Sequence, residues 1–157
     1  MKILMVCLGN ICRSPIAEGV VKLKLQQAGL RATVDSAGLL SYHAGEQPDH
    51  RAMETAARFG IDISEQRARQ ITKNDFETFD LIFAMDSTVY SELKSFRHPA
   101  ANNKIHLFLE YAGYPRGSDV PDPYYGTMRH FEECFKLIDS ASDALVKRIL
   151  ADAGVKG

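Results

Sequence analysis

No apolar run in this 157-residue chain approaches the roughly 20 residues that a bilayer-spanning helix requires, so no membrane span is expected. An excess of one charge is missing as well. Nineteen Lys and Arg stand against 20 Asp and Glu, and a formal charge of −1 supplies no global field for nucleic acid or an anionic membrane surface. Cysteine is scarce: three residues, an odd number, suit a reducing cytoplasm better than a disulfide scaffold. The amino end enters a short apolar stretch with no signal-peptide pattern, which points to the same compartment. Repeats, low-complexity tracts and linker-like segments are lacking. His43, His50, His98, His106 and His130 show no ligand-type spacing with Cys or Asp, so neither a metal nor another cofactor is expected. What remains is 45% hydrophobic and 25% charged, an ordinary globular composition, and its length fits one domain spanning residues 1–157.

The most informative stretch is Cys7-Leu8-Gly9-Asn10-Ile11-Cys12-Arg13-Ser14-Pro15, between the apolar run Lys2–Val6 and an apparent helix from Ile16 to about Leu25. Ser14 suits an N-cap, and Pro15 suits the first helical position, where a missing N–H costs nothing. A helix amino end offers unpaired N–H groups and a partial positive charge, a ready site for a phosphate-like anion. Gly9 and Asn10 tolerate the left-handed angles that turn successive amides inward. Arg13 adds a planar fork able to grip two oxygens of a tetrahedral anion. Cys7 falls at the base of this bowl, where the field that holds an anion also favours a thiolate. Residues 8–14 therefore read as a phosphate-binding loop above a nucleophile. Singly, each residue has an ordinary structural explanation; the combination in strand-loop-helix context does not.

The rest of the chain alternates. Ala32–Gly38 reads as a second strand, joined to the first by one helix that Gly29 ends, and this implies a right-handed βαβ unit. Pro48–Phe59 has helical spacing and stops at Gly60, residues 61–70 read as irregular, and Thr72 caps a short helix. Leu81–Met85 is an apolar run of buried-strand type, Asp86-Ser87 can cap the helix after it, and Lys104–Phe108 is the candidate fourth strand. Tyr111–Gly126 is a long loop, and Met128 to about Ala153 is one amphipathic helix with Phe131, Phe135, Ile138, Leu145 and Ile149 largely on one face. The expected fold is α/β: a single-domain doubly wound four-stranded parallel sheet with helices on both faces. Such sheets bind ligands at the strands' carboxyl ends, where Cys7 falls.

A thiolate that attacks a phosphate ester must expel an alkoxide or phenoxide, so a positioned acid helps greatly. Asp122 is the candidate. It precedes Pro123, which stiffens the loop, and an apolar, aromatic setting beside Tyr124 and Tyr125 favours the protonated donor. Asp-Pro is also a common turn pair, and the residues alone leave both readings open.

Cys-x5-Arg-Ser at the amino end, inside Val-Cys-Leu-Gly-Asn-Ile-Cys-Arg-Ser-Pro, resembles the low-molecular-weight protein tyrosine phosphatases. The similarity runs through Asp35-Ser36-Ala37-Gly38, Pro48-Asp49-His50-Arg51-Ala52, Ala68-Arg69-Gln70-Ile71-Thr72, Phe79-Asp80, Ala84-Met85-Asp86 and Asp122-Pro123-Tyr124-Tyr125-Gly126. The resemblance implies a phosphocysteine on Cys7, a phosphate clamp by Arg13 and general acid/base work by Asp122. It implies phosphotyrosine-containing proteins as substrates, inorganic phosphate and other oxyanions as inhibitors, and a monomer or weak self-association. It also implies that Asn10 and Ser36 brace the loop, while Ser14 is placed to donate to the Cys7 sulfur. The family's usual partner in that brace is a His where this chain has Gln66, so the brace is expected to survive with an altered pH response.

Tyr42, Tyr124 and Tyr125 are candidate pocket walls that stack on a phenyl ring. Cys12 lies near enough along the loop to meet Cys7 on oxidation, and the disulfide, which the resemblance also suggests, would guard the nucleophile from over-oxidation. Cys134 reads as core, and Asp86 as either a brace for the site or a helix cap. Three alternatives fit less well. An arsenate reductase of the same fold needs a relay of further cysteines, and 79–96 contains none. Phosphoarginine phosphatases carry a small polar residue where Ile11 stands, and Ile11 suits an aromatic ring. A phosphate-binding module without turnover needs neither Cys7 nor Asp122.

Overall fold

The computed structural model describes residues 1–154. Four parallel strands form one sheet in the order β2-β1-β3-β4: β1 (Lys2–Cys7), β2 (Thr33–Gly38), β3 (Leu81–Ala84) and β4 (Ile105–Leu107). The chain passes from β1 through α1 (Arg13–Gln27) to β2, then returns to the other side of β1 for β3. That reversal opens a crevice at the carboxyl end of β1, where Cys7 ends the strand.

Alternation along β1 sends successive side chains to opposite faces of the sheet. Ile3, Met5 and Cys7 join a core built with α1, α2 (His50–Arg58) and α6 (Met128–Asp152). Leu4 and Val6 join a second core with α3 (Lys73–Thr78) and α4 (Ser87–Ser95). Helices therefore cover both faces, as expected of a doubly wound sheet. A fully buried large aliphatic side chain contributes roughly 1.5–3 kcal/mol over its exposed state. With Ile3 through Val6 all at 0% exposure, β1 is clamped from both sides, and the loop after it starts from a fixed point.

The helix stops follow local chemistry. Gly29 (φ 76°) and Gly60 (φ 81°) take the left-handed position after α1 and α2. The N–H of Leu30 reaches back to Leu25, and that of Ile61 to Ala56. Asp49 and Asp86 cap α2 and α4, accepting from the N–H groups of Arg51 and Val89. The last helix buries Phe131, Phe135, Ile138, Leu145 and Ile149 on one face, with Cys134 beside them.

One expectation needs correction. Phe108 does not extend β4 but opens the short helix α5 (Phe108–Tyr111), buried against Phe83. A short apolar run does not distinguish strand from buried helix, and here the helical turn lets Phe108, Leu109 and Tyr111 all reach the core.

Candidate active site

Residues Cys7 to Ser14 turn tightly from β1 into α1. Asn10 adopts φ 58°, the left-handed turn anticipated at this position. Gly9 is not in that region; its value is space, since a Cβ there would stand 3.3 Å from the His43 ring. Gly38 is needed for the same reason, because an added Cβ would meet the Leu8 carbonyl oxygen at 2.9 Å. The end of β2 thus lies directly against the loop.

The cap of α1 differs from expectation. The helix begins at Arg13 and Cys12 holds the N-cap position, making no side-chain cap bond. Ser14 lies inside the first turn, where its hydroxyl serves the loop instead. Its Oγ is 3.0 Å from Cys7 Sγ and accepts from Asn10 Nδ2 at 2.8 Å. The Asn10 amide also donates to Ser36 Oγ at 2.9 Å, and its Oδ1 accepts from the Arg69 N–H at 3.0 Å. Asn10, Ser14 and Ser36 are all buried. Hydrogen bonds thus join Ser36, Asn10 and Ser14 and lead to the cysteine sulfur.

Arg13 is 3% exposed. Its Nη1 donates to Asp86 Oδ2 at 2.6 Å and to the Val120 carbonyl at 3.0 Å. Asp86 therefore does both jobs considered for it, capping α4 with one oxygen and holding Arg13 with the other. With Nη1 committed, the Nε and Nη2 edge is the fork left for an oxyanion. Burial alone would lower the Arg13 pKa, but Cys7, Asp86 and Asp122 outweigh it and hold it above the ordinary value.

Asp122 arrives from the long loop after α5. Its Oδ2 is 3.7 Å from Arg13 Nη2, and its Oδ1 accepts from the Tyr124 N–H at 3.1 Å. The apolar enclosure expected around Asp122 is not found, because its side chain is 41% exposed at the mouth of the cleft. The loop docks through Val120, whose N–H donates to the Met85 carbonyl at 2.8 Å. Cys7, Leu8, Gly9, Ile11, Cys12, Arg13 and Asp122 line one cleft of about 360 Å³ with Leu40, Tyr42, His43, Tyr124 and Tyr125. Tyr42 and Tyr125 stand free at its rim, 85% and 94% exposed, and the Tyr124 and Tyr125 rings meet edge to face. Cys7 and Cys12 are free and buried, and burial pushes the Cys12 thiol far up from its ordinary value. Among the described residues no group of three His, Cys, Asp or Glu is placed to hold a metal.

The family model described as low molecular weight phosphotyrosine protein phosphatase matches residues 2–154. The chain belongs to this family. A relative of that name from Schizosaccharomyces pombe is 40% identical over 92% of this chain and 95% of its own. A protein tyrosine phosphatase from Entamoeba histolytica, crystallised with Hepes in its active site, superposes with a TM-score of 0.88. It is 36% identical, with 98% of each chain covered. Vibrio vulnificus Wzb in complex with benzylphosphonate superposes at 0.84, with 34% identity over 94% of this chain and 97% of that one.

In this member of the family, Gln66 does not stand in the brace. Its Nε2 donates to the Pro15 carbonyl at 3.1 Å, and its buried Oε1 has no hydrogen-bond partner among the described residues. Glu18 closes the network instead, accepting from Ser36 Oγ at 2.7 Å. Sequence reasoning overlooked Glu18, although a lone acid in the apolar run Pro15–Val21, one helical turn beyond Ser14, was the available signal. Burial raises its pKa from 4.5 to about 7, with neighbouring Asp35 adding to the rise. A carboxyl that is more basic when folded makes stability fall as pH rises from the unfolded value of 4.5 to about 7, after which the penalty is constant. Glu18→Gln removes that penalty. Urea unfolding should show the variant gaining on the parent by on the order of 2 kcal/mol between pH 4.5 and pH 8. An unchanged difference across that range would show that Glu18 ionises freely.

Proposed function

We propose that this chain hydrolyses phosphotyrosine in proteins, and small aryl phosphates, through a phosphocysteine. The observation that carries the reading is the meeting of Cys7, the Arg13 fork and the Asp122 carboxyl in one cleft walled by Tyr42, Tyr124 and Tyr125. Arg13 and the first-turn amides of α1 hold the equatorial oxygens while Cys7 attacks phosphorus in line. Ser14, 3.0 Å from Cys7 Sγ, donates to the thiolate and eases its later departure. The sulfur–phosphorus bond forms as the bond to the phenol oxygen breaks, and Asp122 gives that oxygen its proton. Asp122, now a base, takes a proton from water as the water attacks phosphorus. Phosphate leaves and the thiolate returns.

The tyrosine walls and Ile11 favour a flat aromatic ester over an alkyl one, because ring faces and an aliphatic side chain bury a phenyl group well. The benzylphosphonate in the Vibrio vulnificus relative supports the same choice, since it joins a phenyl ring to a tetrahedral anion. We place the work in the cytoplasm, on phosphotyrosine-containing proteins, within one domain comprising the whole chain. Among the described residues no helix is long and apolar enough to cross a membrane. The test is release of p-nitrophenol from p-nitrophenyl phosphate by the purified chain, with inhibition by vanadate. A protein that binds vanadate yet releases nothing would be a binding module.

A further inference from the structure

Arg51 lies in the first turn of α2, outside the cleft, yet its guanidinium reaches the acid loop. Nε and Nη2 donate to the two carboxylate oxygens of Asp49, each at 3.2 Å. Nη2 also donates to the Tyr124 carbonyl at 2.9 Å, and Nη1 to the Gly126 carbonyl at 3.1 Å. The guanidinium carbon stands 4.5 Å from the centroid of the buried Phe131 ring and 5.7 Å from that of Tyr124. Asp49 is anchored in turn, because its N–H donates to the Ile11 carbonyl of the anion loop at 2.7 Å.

Tyr124 is the point of contact with the chemistry. Its N–H holds Asp122 Oδ1 at 3.1 Å while Arg51 holds its carbonyl. We propose that Arg51 is a positioning residue for the acid step: it clamps the turn 123–126 and thereby sets where the Asp122 carboxyl hangs over the phosphate-binding loop. The proposal rests on the reading of Asp122 as the acid. Proton donation needs the carboxyl within hydrogen-bond reach of the leaving oxygen, and the Asp122 side chain is itself 41% exposed, so its place depends on the backbone that the turn after it presents. Four acceptors on two segments are held by one planar fork, which a lysine does not reproduce.

A residue acting through the acid has a distinctive signature. Loss of protonation hurts a poor leaving group far more than a good one, whereas general damage to the fold hurts both alike. In Arg51→Met, kcat/KM for phenyl phosphate should fall about 10-fold or more, while that for dinitrophenyl phosphate stays within about threefold. Adding Arg51→Met to Asp122→Ala should change neither by more than about twofold, since both substitutions remove one function. Alkylation of Cys7 by iodoacetate, and its protection by inorganic phosphate, should match the parent. Arg51→Lys, which keeps the charge and part of the bonding, should recover part of the phenyl phosphate activity, and it carries the same comparisons if Arg51→Met does not fold. Equal losses on both esters, losses that add to those of Asp122→Ala, or no loss would overturn the proposal. If Asp122→Ala itself shows no preference between leaving groups, the acid assignment falls and takes this proposal with it. If it shows the preference and Arg51→Met does not, the role of Arg51 alone is wrong.

Discussion

Cys7→Ser should lower p-nitrophenyl phosphate turnover by at least ~10⁴-fold, the scale on which removal of a covalent nucleophile is felt. The size follows from chemistry. A serine hydroxyl in this place would meet the Ser14 hydroxyl rather than a base, and the Asp122 carboxylate faces Arg13 Nη2 at 3.7 Å. An uncharged hydroxyl is a weak nucleophile, and a factor of 10⁴ is about 5.4 kcal/mol of barrier. Binding should survive, because Arg13 keeps its bonds to Asp86 and Val120 whether or not the sulfur is present. Inorganic phosphate should therefore still raise the melting temperature of the variant. Retention of more than a few per cent of parental turnover would mean that Cys7 is not the nucleophile, whatever the cleft looks like.

For Asp122→Ala the expected loss in kcat is roughly 10²–10⁴-fold, the usual contribution of a positioned general acid or base. The loss should divide between the two half-reactions. Formation of the phosphocysteine needs the acid only when the departing phenol is poor, so kcat/KM should depend more steeply on the leaving group than in the parent. Hydrolysis of the phosphocysteine needs the base whatever the substrate was, so kcat should fall on every ester. Rapid-quench trapping should then show phosphoenzyme accumulating in the variant when the ester is dinitrophenyl phosphate. A variant that loses activity without accumulating phosphoenzyme, and without a change in leaving-group dependence, would leave Asp122 with a loop-structuring role through the Tyr124 N–H.

Glu18 gives the loop a titratable neighbour where Gln66 supplies none. A chain of hydrogen bonds runs from its carboxyl through Ser36, Asn10 and Ser14 to Cys7 Sγ. Its pKa near 7 comes chiefly from burial between α1 and β2. Position 66 cannot carry a proton, but the brace ends elsewhere, on a group that can.

Much of this arrangement was written in the order of the residues. An apolar run, a loop of Cys-x5-Arg-Ser and a helix can meet in few ways, because a strand's carboxyl end, a left-handed turn at Asn10 and a helix amino end are all local requirements. The alternation of strands and helices, the glycine stops at Gly29 and Gly60, and the aspartate cap at Asp86 are local too, and each was legible in the sequence, whereas the helix read from Pro48 starts at His50 with Asp49 as its cap. Other features depend on segments far apart in the chain. Ser14 exchanged its expected cap for the Cys7 sulfur only once Asn10 was turned toward it and Ser36 lay behind. Arg13 is set by Asp86 and Val120, 73 and 107 residues away, and the Asp122 loop by Arg51, which meets the Tyr124 carbonyl across 73 residues. Periodicity and capping are set by neighbours within a few positions, whereas the partner of a buried charge is whichever acceptor the packed helices bring within 3 Å. For that reason the sequence by itself determined the Cys-x5-Arg-Ser turn between strand and helix and the fold class, and only the tertiary structure decided what holds Arg13, Asp122 and the brace in place.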